Sequence, residues 1–288
     1  MNTPLLHSNK QNRTLAADTF FVTLKELLQN DSHISEMNLC DAWKNNLRIY
    51  KNMFPDGWYI PPPHGFAVLF SDEQHLERIN FKSLRPEMYW PKQDSFFQKD
   101  GFILFFASPV DKTHGVIGDF GALLYLGKNV KIQDHYKKSF ALVHELYEKI
   151  AVGMSFAEIY SLVEILMKKQ NLYSDLFSPT DPTGTNIGHS IVSLTPEELD
   201  DIKIGAMDWS TAKDRISKRR IFINKSEKTI LQPGMAITLE PRPKSTVDPS
   251  LPQAWFHTVC VIDENGKKEL LTGFEEIFEF LKAGYLLK

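Results

Sequence analysis

Apolar residues recur at helical spacing near the start of the chain. The polar residues 1–13 carry no apolar stripe, and we predict a loose N-terminal segment there. In residues 14–30 the apolar positions share one face and predict a helix. These positions are Ala17, Phe20, Phe21, Leu24, Leu27 and Leu28. A second helix is predicted from about Ser35, because the apolar positions after it repeat the same spacing.

The middle of the chain repeats this plan. A third helical stripe is formed by Phe140, Val143, Tyr147 and Ile150. Gly153 is typical of a helix end, and Ser155 with Glu158 has the spacing of a capping box that begins the next helix. Strands are predicted at the short apolar runs Phe66–Phe70 and Phe102–Ala107.

Helix, loop, Ser-capped helix and strands therefore occur twice, about 120 residues apart. This repetition predicts an α+β fold whose two pseudo-symmetric halves share one core over residues 14–288. Asn265-Gly266 lies between two apolar runs and predicts a hairpin, and a final helix is expected over Phe274–Lys282.

Composition narrows the class of protein. The chain has 288 residues, of which 42% are hydrophobic, enough for a full core. Its net charge of -3 gives no general reason to expect nucleic acid or an anionic membrane as a partner. Two distant cysteines, Cys40 and Cys260, favour reduced thiols and a cytoplasmic location.

A locally basic stretch lies in the second half. It contains Lys213, Arg215, Lys218, Arg219, Arg220, Lys225 and Lys228. With acidic residues nearby, we interpret it as a solvated surface, and docking of an acidic partner is the alternative.

Three polar residues lie in segments that favour burial. Asp119 lies between glycines and apolar residues, His189 lies in an apolar strand-like run, and Glu240 ends another. A buried carboxylate is costly unless it is paired, hydrogen-bonded or bound to a cation. Each residue alone is more often structural than functional. Together they supply two carboxylates and an imidazole, which suit a divalent ion such as Mn, Fe or Zn.

Three segments carry a resemblance to a known family. Leu231–Pro241 is the most specific, followed by Gly153-Met154-Ser155 and the looser Gly188–Ile191. Over about Thr14 to Leu281 the chain resembles the creatinase, aminopeptidase P and methionine aminopeptidase superfamily. The resemblance implies the pita-bread fold, in which helices cover a curved antiparallel sheet. It also implies a bowl between the two halves, where peptidases of the superfamily hold two metal ions with an Asp-Asp-His-Glu-Glu set.

Carried onto this sequence, the ligand set is incomplete. Asp119 matches the second aspartate, which bridges the two metals, His189 the histidine and Glu240 the first glutamate. Ser108 stands eleven positions before Asp119, where the first aspartate is expected. The last glutamate falls on Phe256, or on His257 when counted back from the Gly266 turn. Alternation along a strand lets only one of these two face the bowl.

The surviving residues suffice for one metal ion. Asp119, His189 and Glu240 would hold it, and His257 would make a fourth ligand if it points inward. Glu240 or His257 would then move protons. A metal-free form is the alternative, since creatinase works without metal. The predicted substrate pocket contains Ser108, Phe256, His64, and Tyr89 and Trp90, the last two standing where the family has a histidine close to the substrate amine.

The resemblance therefore implies a divergent hydrolase-like protein. Its expected substrate is a small amino-acid derivative or a short peptide, and ordinary two-metal aminopeptidase activity is not expected. The alternative is a catalytically inactive pita-bread protein that binds a ligand or another protein, which Ser108 and Phe256 favour. The oligomeric state, a homodimer included, stays open.

Overall fold

Two helices open the chain and pack against each other. The computed structural model describes residues 3–30, 33–175, 178, 181 and 183–287. Helix α1 spans Thr3–Asn30 and α2 spans Glu36–Arg48. Ser35 caps α2 as predicted, because its side chain accepts a hydrogen bond from the Asn38 backbone N–H.

The start of α1 differs from the prediction of a loose segment over residues 1–13. The helix already begins at Thr3, and its first turns are anchored by polar side chains. Ser8 Oγ donates to Asp111 Oδ2 at 2.9 Å, and Asn12 Nδ2 donates to the same oxygen at 2.9 Å. Asn9 Nδ2 donates to the Ile117 carbonyl at 2.7 Å. Because these contacts are polar, an apolar stripe could not reveal them.

A six-stranded antiparallel sheet forms the centre of the fold. In chain order the strands of the protein are β1 (Phe66–Ser71), β2 (Phe102–Ala107), β3 (Phe120–Tyr125), β4 (Leu172–Ser174), β5 (Ala236–Leu239), β6 (Pro243–Ser245), β7 (Trp255–Ile262) and β8 (Lys268–Leu271). The central sheet has the order β1-β2-β3-β7-β5, with β8 also paired to β7, while β4 and β6 pair separately. Strands β1, β2 and β3 are buried along their whole length, as their continuous apolar sequences predict.

Further α-helices follow β3 along the chain. They are α3 (Val130–Lys149), α4 (Phe156–Lys169), α5 (Pro196–Lys203), α6 (Trp209–Arg219) and α7 (Glu275–Phe280). The capping box predicted at Ser155 and Glu158 is present at the start of α4. The Asn265-Gly266 turn joins β7 to β8, where Gly266 has a φ of 81°. The final helix α7 is shorter than the predicted span Phe274–Lys282.

Helices α5 and α6 follow the run that contains His189. They lie between that run and its pairing partner, because His189 bridges Phe222 and α5 and α6 occupy residues between them. Among the described residues, no helix has both the length and the apolar character needed to cross a membrane.

Candidate functional site

A small cavity lies where the two halves of the fold meet at the central sheet. Its volume is about 40 Å³. Its wall includes six ionisable side chains, those of Asp119, His189, Arg220, Glu240, Arg242 and His257. All six side chains are largely buried, with at most 9% of each residue exposed. The cavity is therefore a shielded space in which charges interact strongly.

The sheet brings these side chains together from distant parts of the chain. Asp119 immediately precedes β3, and the β3–β7 register places Gly121 opposite His257. Glu240 immediately follows β5. His189 is held beside that strand, because its backbone N–H donates to Thr238 Oγ1 at 2.8 Å.

Gly188 allows this close approach. Its φ is +146°, and a side chain there would clash with the Thr238 carbonyl oxygen. Glycine is therefore required before His189, because the Thr238 backbone leaves no room for a side chain.

Two carboxylates and two imidazoles lie close together in the cavity. His189 Nε2 lies 3.9 Å from Asp119 Oδ2 and 3.9 Å from Glu240 Oε1. His257 Nε2 lies 4.0 Å from the same Glu240 oxygen. Ligand atoms of Asp119, His189 and His257 all lie within 4.8 Å of one another. His189 therefore lies beside both carboxylates predicted as ligands, but the set within 4.8 Å contains His257 in place of Glu240.

Hydrogen bonds assign different tautomers to the two histidines. His189 Nδ1 lies 2.9 Å from the Ser190 carbonyl oxygen, so Nδ1 carries the proton and Nε2 presents a lone pair to the cavity. His257 Nδ1 lies 3.4 Å from Arg13 Nη1, which can only donate. We therefore assign the His257 proton to Nε2, which lies 4.0 Å from Glu240 Oε1, beyond hydrogen-bond distance. In these tautomers His189 presents a lone pair to the cavity, and His257 presents an N–H group.

Asp119 is held by one of its two oxygens. Trp58 Nε1 donates to Asp119 Oδ1 at 2.7 Å, which leaves Oδ2 facing His189. Burial raises the pKa of Asp119 to about 7, and the Trp58 hydrogen bond and Arg220 oppose that rise. Burial also raises the pKa of Glu240, against the nearby Arg242 and Arg220.

Three buried arginines surround the convergent donors. Burial lowers the pKa of Arg13 to about 9 and of Arg220 to about 10, so both stay charged at neutral pH. Burial, with Arg220 beside it, lowers the pKa of His189 to about 3, and burial lowers the pKa of His257 well below its usual range. Both imidazoles are therefore neutral.

The interpretation of the basic stretch as a solvated surface is wrong at one position, Arg220. Arg220 is only 9% exposed, and its guanidinium lies 4.4 Å from the Trp58 ring centroid and 4.9 Å from that of Phe222. Sequence reasoning also missed Arg13, which lies in the segment predicted to be loose, and Arg242. The sequence Glu240-Pro241-Arg242 was the one local signal for the last of these.

The choice between Phe256 and His257 is decided by strand alternation. His257 lines the cavity, whereas Phe256 points to the opposite face of β7 and packs on Phe140 with a ring separation of 4.8 Å. Phe256 therefore does not belong to the predicted substrate pocket.

Ser108 also lies outside the cavity wall. Its Oγ donates to the Gly65 carbonyl at 3.1 Å and accepts from the Tyr59 N–H at 3.1 Å. These two bonds turn the hydroxyl into the loop that follows α2, so Ser108 provides no ligand at the point where the donors converge.

The other three predicted pocket residues lie away from the cavity. His64 is partly exposed and pairs with Asp56 at 2.8 Å. Tyr89 packs near Phe81, and Trp90 Nε1 donates to the Arg85 carbonyl at 3.0 Å. The cavity is lined instead by the aromatic residues Trp58, Tyr59, Phe106 and Trp255.

The spacing of donor atoms around His189 suits one divalent ion once both carboxylates move closer to it. Two ligand atoms bound tetrahedrally at about 2.1 Å are roughly 3.4 Å apart, so separations of 3.9 Å need a contraction of about 0.5 Å. The His189 tautomer is the one that a metal ligand requires. A second ion has fewer donors, because the Ser108 hydroxyl bonds the Gly65 carbonyl and does not face the cavity.

A comparison of the sequence with known protein families identifies the family of the chain. Residues 82–266 match metallopeptidase family M24. The chain belongs to this family. No curated protein sequence is significantly similar to the chain. The family match shows that the chain is a peptidase-like protein. It also confirms the predicted superfamily.

Solved structures confirm the pita-bread fold. The prolidase from Pyrococcus horikoshii OT3 has a TM-score of 0.62 at 12% identity, over 94% of this chain and 62% of the other. The X-Pro aminopeptidase from Thermotoga maritima MSB8 has a TM-score of 0.59 at 11% identity, over 94% and 62%. The methionine aminopeptidase from Thermotoga maritima has a TM-score of 0.57 at 13% identity, over 92% and 96%. The chain thus spans about three fifths of the first two proteins and nearly all of the third.

Proposed function

We propose that this M24 protein is a hydrolase that uses one metal ion and acts on a small amino-acid derivative or a short peptide. The observation that carries the proposal is the position of His189 Nε2 in a shielded cavity, 3.9 Å from Asp119 Oδ2 and 3.9 Å from Glu240 Oε1. These three atoms would hold the ion. The names of the similar structures, which include prolidases and aminopeptidases, support a peptide-like substrate.

A bound Mn, Fe or Zn ion would supply a Lewis acid and a more acidic water molecule. The residues of the chain would do the rest. The His257 Nε2–H would donate a hydrogen bond to negative charge that develops on a substrate oxygen. Because its pKa is well below the usual range, His257 stays a neutral donor throughout. Glu240, whose pKa is raised by burial, would accept and release a proton.

A ligand- or protein-binding module without catalysis is the second candidate. The small cavity favours it, because about 40 Å³ is less than a dipeptide needs. Hydrolysis would require the wall to open.

Metal content tests the metal site directly. We expect about one ion per chain in protein purified without chelator, measured by mass spectrometry of the metals. His189→Ala, Asp119→Asn and Glu240→Gln should each lose most of it. Arg215→Gln serves as the control, since Arg215 is a half-exposed residue of α6 that lies outside the cavity wall. Equal metal content in His189→Ala and the control would contradict the metal site.

Turnover separates the hydrolase from the binding module. We expect cleavage within a panel of dipeptides, amides and guanidino compounds, and its loss in Glu240→Ala. A panel without any turnover by metal-loaded protein would favour the binding module.

The proposal also covers the location, the partners and the oligomeric state of the protein. Cys40 and Cys260 are both buried and unpaired, which supports a cytoplasmic location. The proposed partner is a small substrate, without nucleic acid or membrane, and a homodimer can be tested by light scattering.

A further inference from the structure

Arg13 of α1 lies against His257 and is held firmly there. Only 2% of Arg13 is exposed, and its guanidinium lies 5.2 Å from the Phe120 ring centroid. Its Nη2 donates to the carbonyl oxygen of His257 and, at 2.7 Å, to that of Thr272. Its Nη1 donates to the carbonyl oxygen of Asp119. Three charge-assisted hydrogen bonds to backbone carbonyls therefore fix the position of the guanidinium.

The fixed guanidinium determines which nitrogen of His257 carries the ring hydrogen. Arg13 Nη1 lies 3.4 Å from His257 Nδ1, and an arginine side chain only donates hydrogen bonds. A hydrogen on Nδ1 would therefore point at a hydrogen of Arg13. The carbonyl oxygen of His257, which also lies near its own ring, already accepts a hydrogen bond from Arg13 Nη2. The ring hydrogen is consequently placed on Nε2, the nitrogen on the side of Glu240.

This hydrogen prevents His257 from acting as a metal ligand. Distance alone groups His257 with Asp119 and His189, because their ligand atoms lie within 4.8 Å of one another. A metal ligand must offer a lone pair, however, and His257 Nε2 offers an N–H group instead. To bind an ion through Nε2, His257 would need its hydrogen on Nδ1, where it meets Arg13. His189 has the opposite arrangement, since its Nδ1 lies 2.9 Å from the Ser190 carbonyl oxygen.

We propose that Arg13 is a positioning residue that keeps the ring hydrogen of His257 on Nε2 and so excludes this imidazole from the metal site. The inference rests on the proposed function for the presence of that site, and it goes further by assigning different partners to the two histidines. The ion is left with Asp119, His189 and Glu240. The His257 N–H is left for an oxygen atom of the substrate.

Nitrogen NMR of the histidine rings tests the tautomer directly. In chelator-treated protein with ¹⁵N-labelled histidine, we expect the ring hydrogen of His257 on Nε2 and that of His189 on Nδ1. The His257 signals are assigned by their loss in His257→Gln. Arg13→Lys should keep the Nε2 hydrogen, because lysine also only donates. Arg13→Met should move it to Nδ1, since the nearby His257 carbonyl can then accept it. Lys10→Met replaces a half-exposed lysine of the same helix, so this control should match the wild type.

Zinc titration tests the exclusion of His257 from the metal site. Calorimetry should give His257→Gln a Zn²⁺ affinity within about twofold of the wild type, because the imidazole is not a ligand. Arg13→Met should bind Zn²⁺ about tenfold or more tightly, since the freed Nε2 adds a ligand. The double variant Arg13→Met/His257→Gln should lose this gain. Removal of a residue with a purely structural role would instead lower the affinity.

Three results would overturn the inference. They are a ring hydrogen on Nδ1 of wild-type His257, a Zn²⁺ affinity that falls about tenfold or more in His257→Gln, and a gain that persists in the double variant. In the last case Arg13 acts through its charge alone. If Arg13→Met does not fold, the tautomer of the wild type and the affinity of His257→Gln decide.

The NMR measurement needs neither metal nor turnover, which separates this inference from the proposed function. A hydrogen on His257 Nε2 in a protein that does not bind Zn²⁺ supports the role of Arg13 and contradicts the metal site. A hydrogen on Nδ1 in a protein that binds Zn²⁺ and shows turnover contradicts only the role of Arg13.

Discussion

Trp58 Nε1 donates a hydrogen bond to Asp119 Oδ1 at 2.7 Å, and this bond decides which oxygen of Asp119 faces the cavity. The other oxygen, Oδ2, is the one that points at His189. An aspartate that bridges two metal ions uses both oxygens. The Trp58 contact therefore fixes the orientation of Asp119 and turns Oδ2 toward His189.

Trp58→Phe should weaken metal binding without unfolding the protein. The substitution removes the N–H and retains a ring against Arg220, so Asp119 loses its orienting partner. Loss of such a contact behind a ligand typically lowers metal affinity by about 10–100-fold. Calorimetric titration with Mn²⁺ measures the change. Trp209→Phe is a matched control, because the buried Trp209 N–H has no partner among the described residues; equal affinity in both variants would refute the role of Trp58.

Ser108→Asp should not restore a second metal ion. The serine hydroxyl is enclosed by two glycines, and a Cβ on Gly65 would lie 2.6 Å from it. A buried carboxylate there would lack a partner, so we expect a loss of about 2–5 kcal/mol in the free energy of unfolding. Metal content should stay at about one ion per chain or fall. Ser108→Ala should cost only about 1–2 kcal/mol; a stable Ser108→Asp protein with two ions would contradict this account.

The sequence was most informative where polar residues interrupt apolar runs. Asp119, His189 and Glu240 were predicted to meet because each lies in a segment that must be buried, and the sheet register brings them together. The strands and the Ser155 capping box were predictable for the same reason, since local periodicity and hydrogen-bond spacing determine them.

Contacts between distant polar residues could not be predicted in this way. Arg13 approaches His257 from α1, and nothing in the local pattern of residues 1–13 indicates such a partner. Arg220 follows α6 in a basic stretch, yet it stacks on Trp58 from a distant loop. Tyr89 and Trp90 were placed in the pocket by position within a family pattern, and the loop that carries them packs elsewhere.

Glu36→Gln should strongly destabilise the first half of the fold. Glu36 is fully buried, and its carboxylate receives hydrogen bonds from Arg78, the backbone N–H groups of Phe70 and Lys92, and Ser95 Oγ. An amide would turn its own N–H groups toward some of these donors and would leave Arg78 without its counter-charge. We expect a loss of about 3–5 kcal/mol in urea unfolding. The exposed Glu26→Gln should change stability by less than about 0.5 kcal/mol; a similar small effect at Glu36 would show that the carboxylate is not needed.

Glu198→Gln should destabilise the protein in a pH-dependent way. Hydrogen bonds from Arg219, together with those from Thr195 and Arg215, lower the pKa of Glu198 to about 2 in the folded state. Because the folded pKa lies below the unfolded value of about 4.5, this contribution to stability is fully present above pH 4.5 and is lost as the pH falls toward 2. Since Arg215 and Arg219 are partly exposed, we expect a difference of about 1–3 kcal/mol at pH 7 between the wild type and Glu198→Gln. Urea unfolding at a series of pH values should show this difference shrinking below pH 4.5, while the exposed Asp200→Asn stays close to the wild type. A difference that is constant from pH 7 to pH 2.5 would mean that the charge of Glu198 contributes nothing.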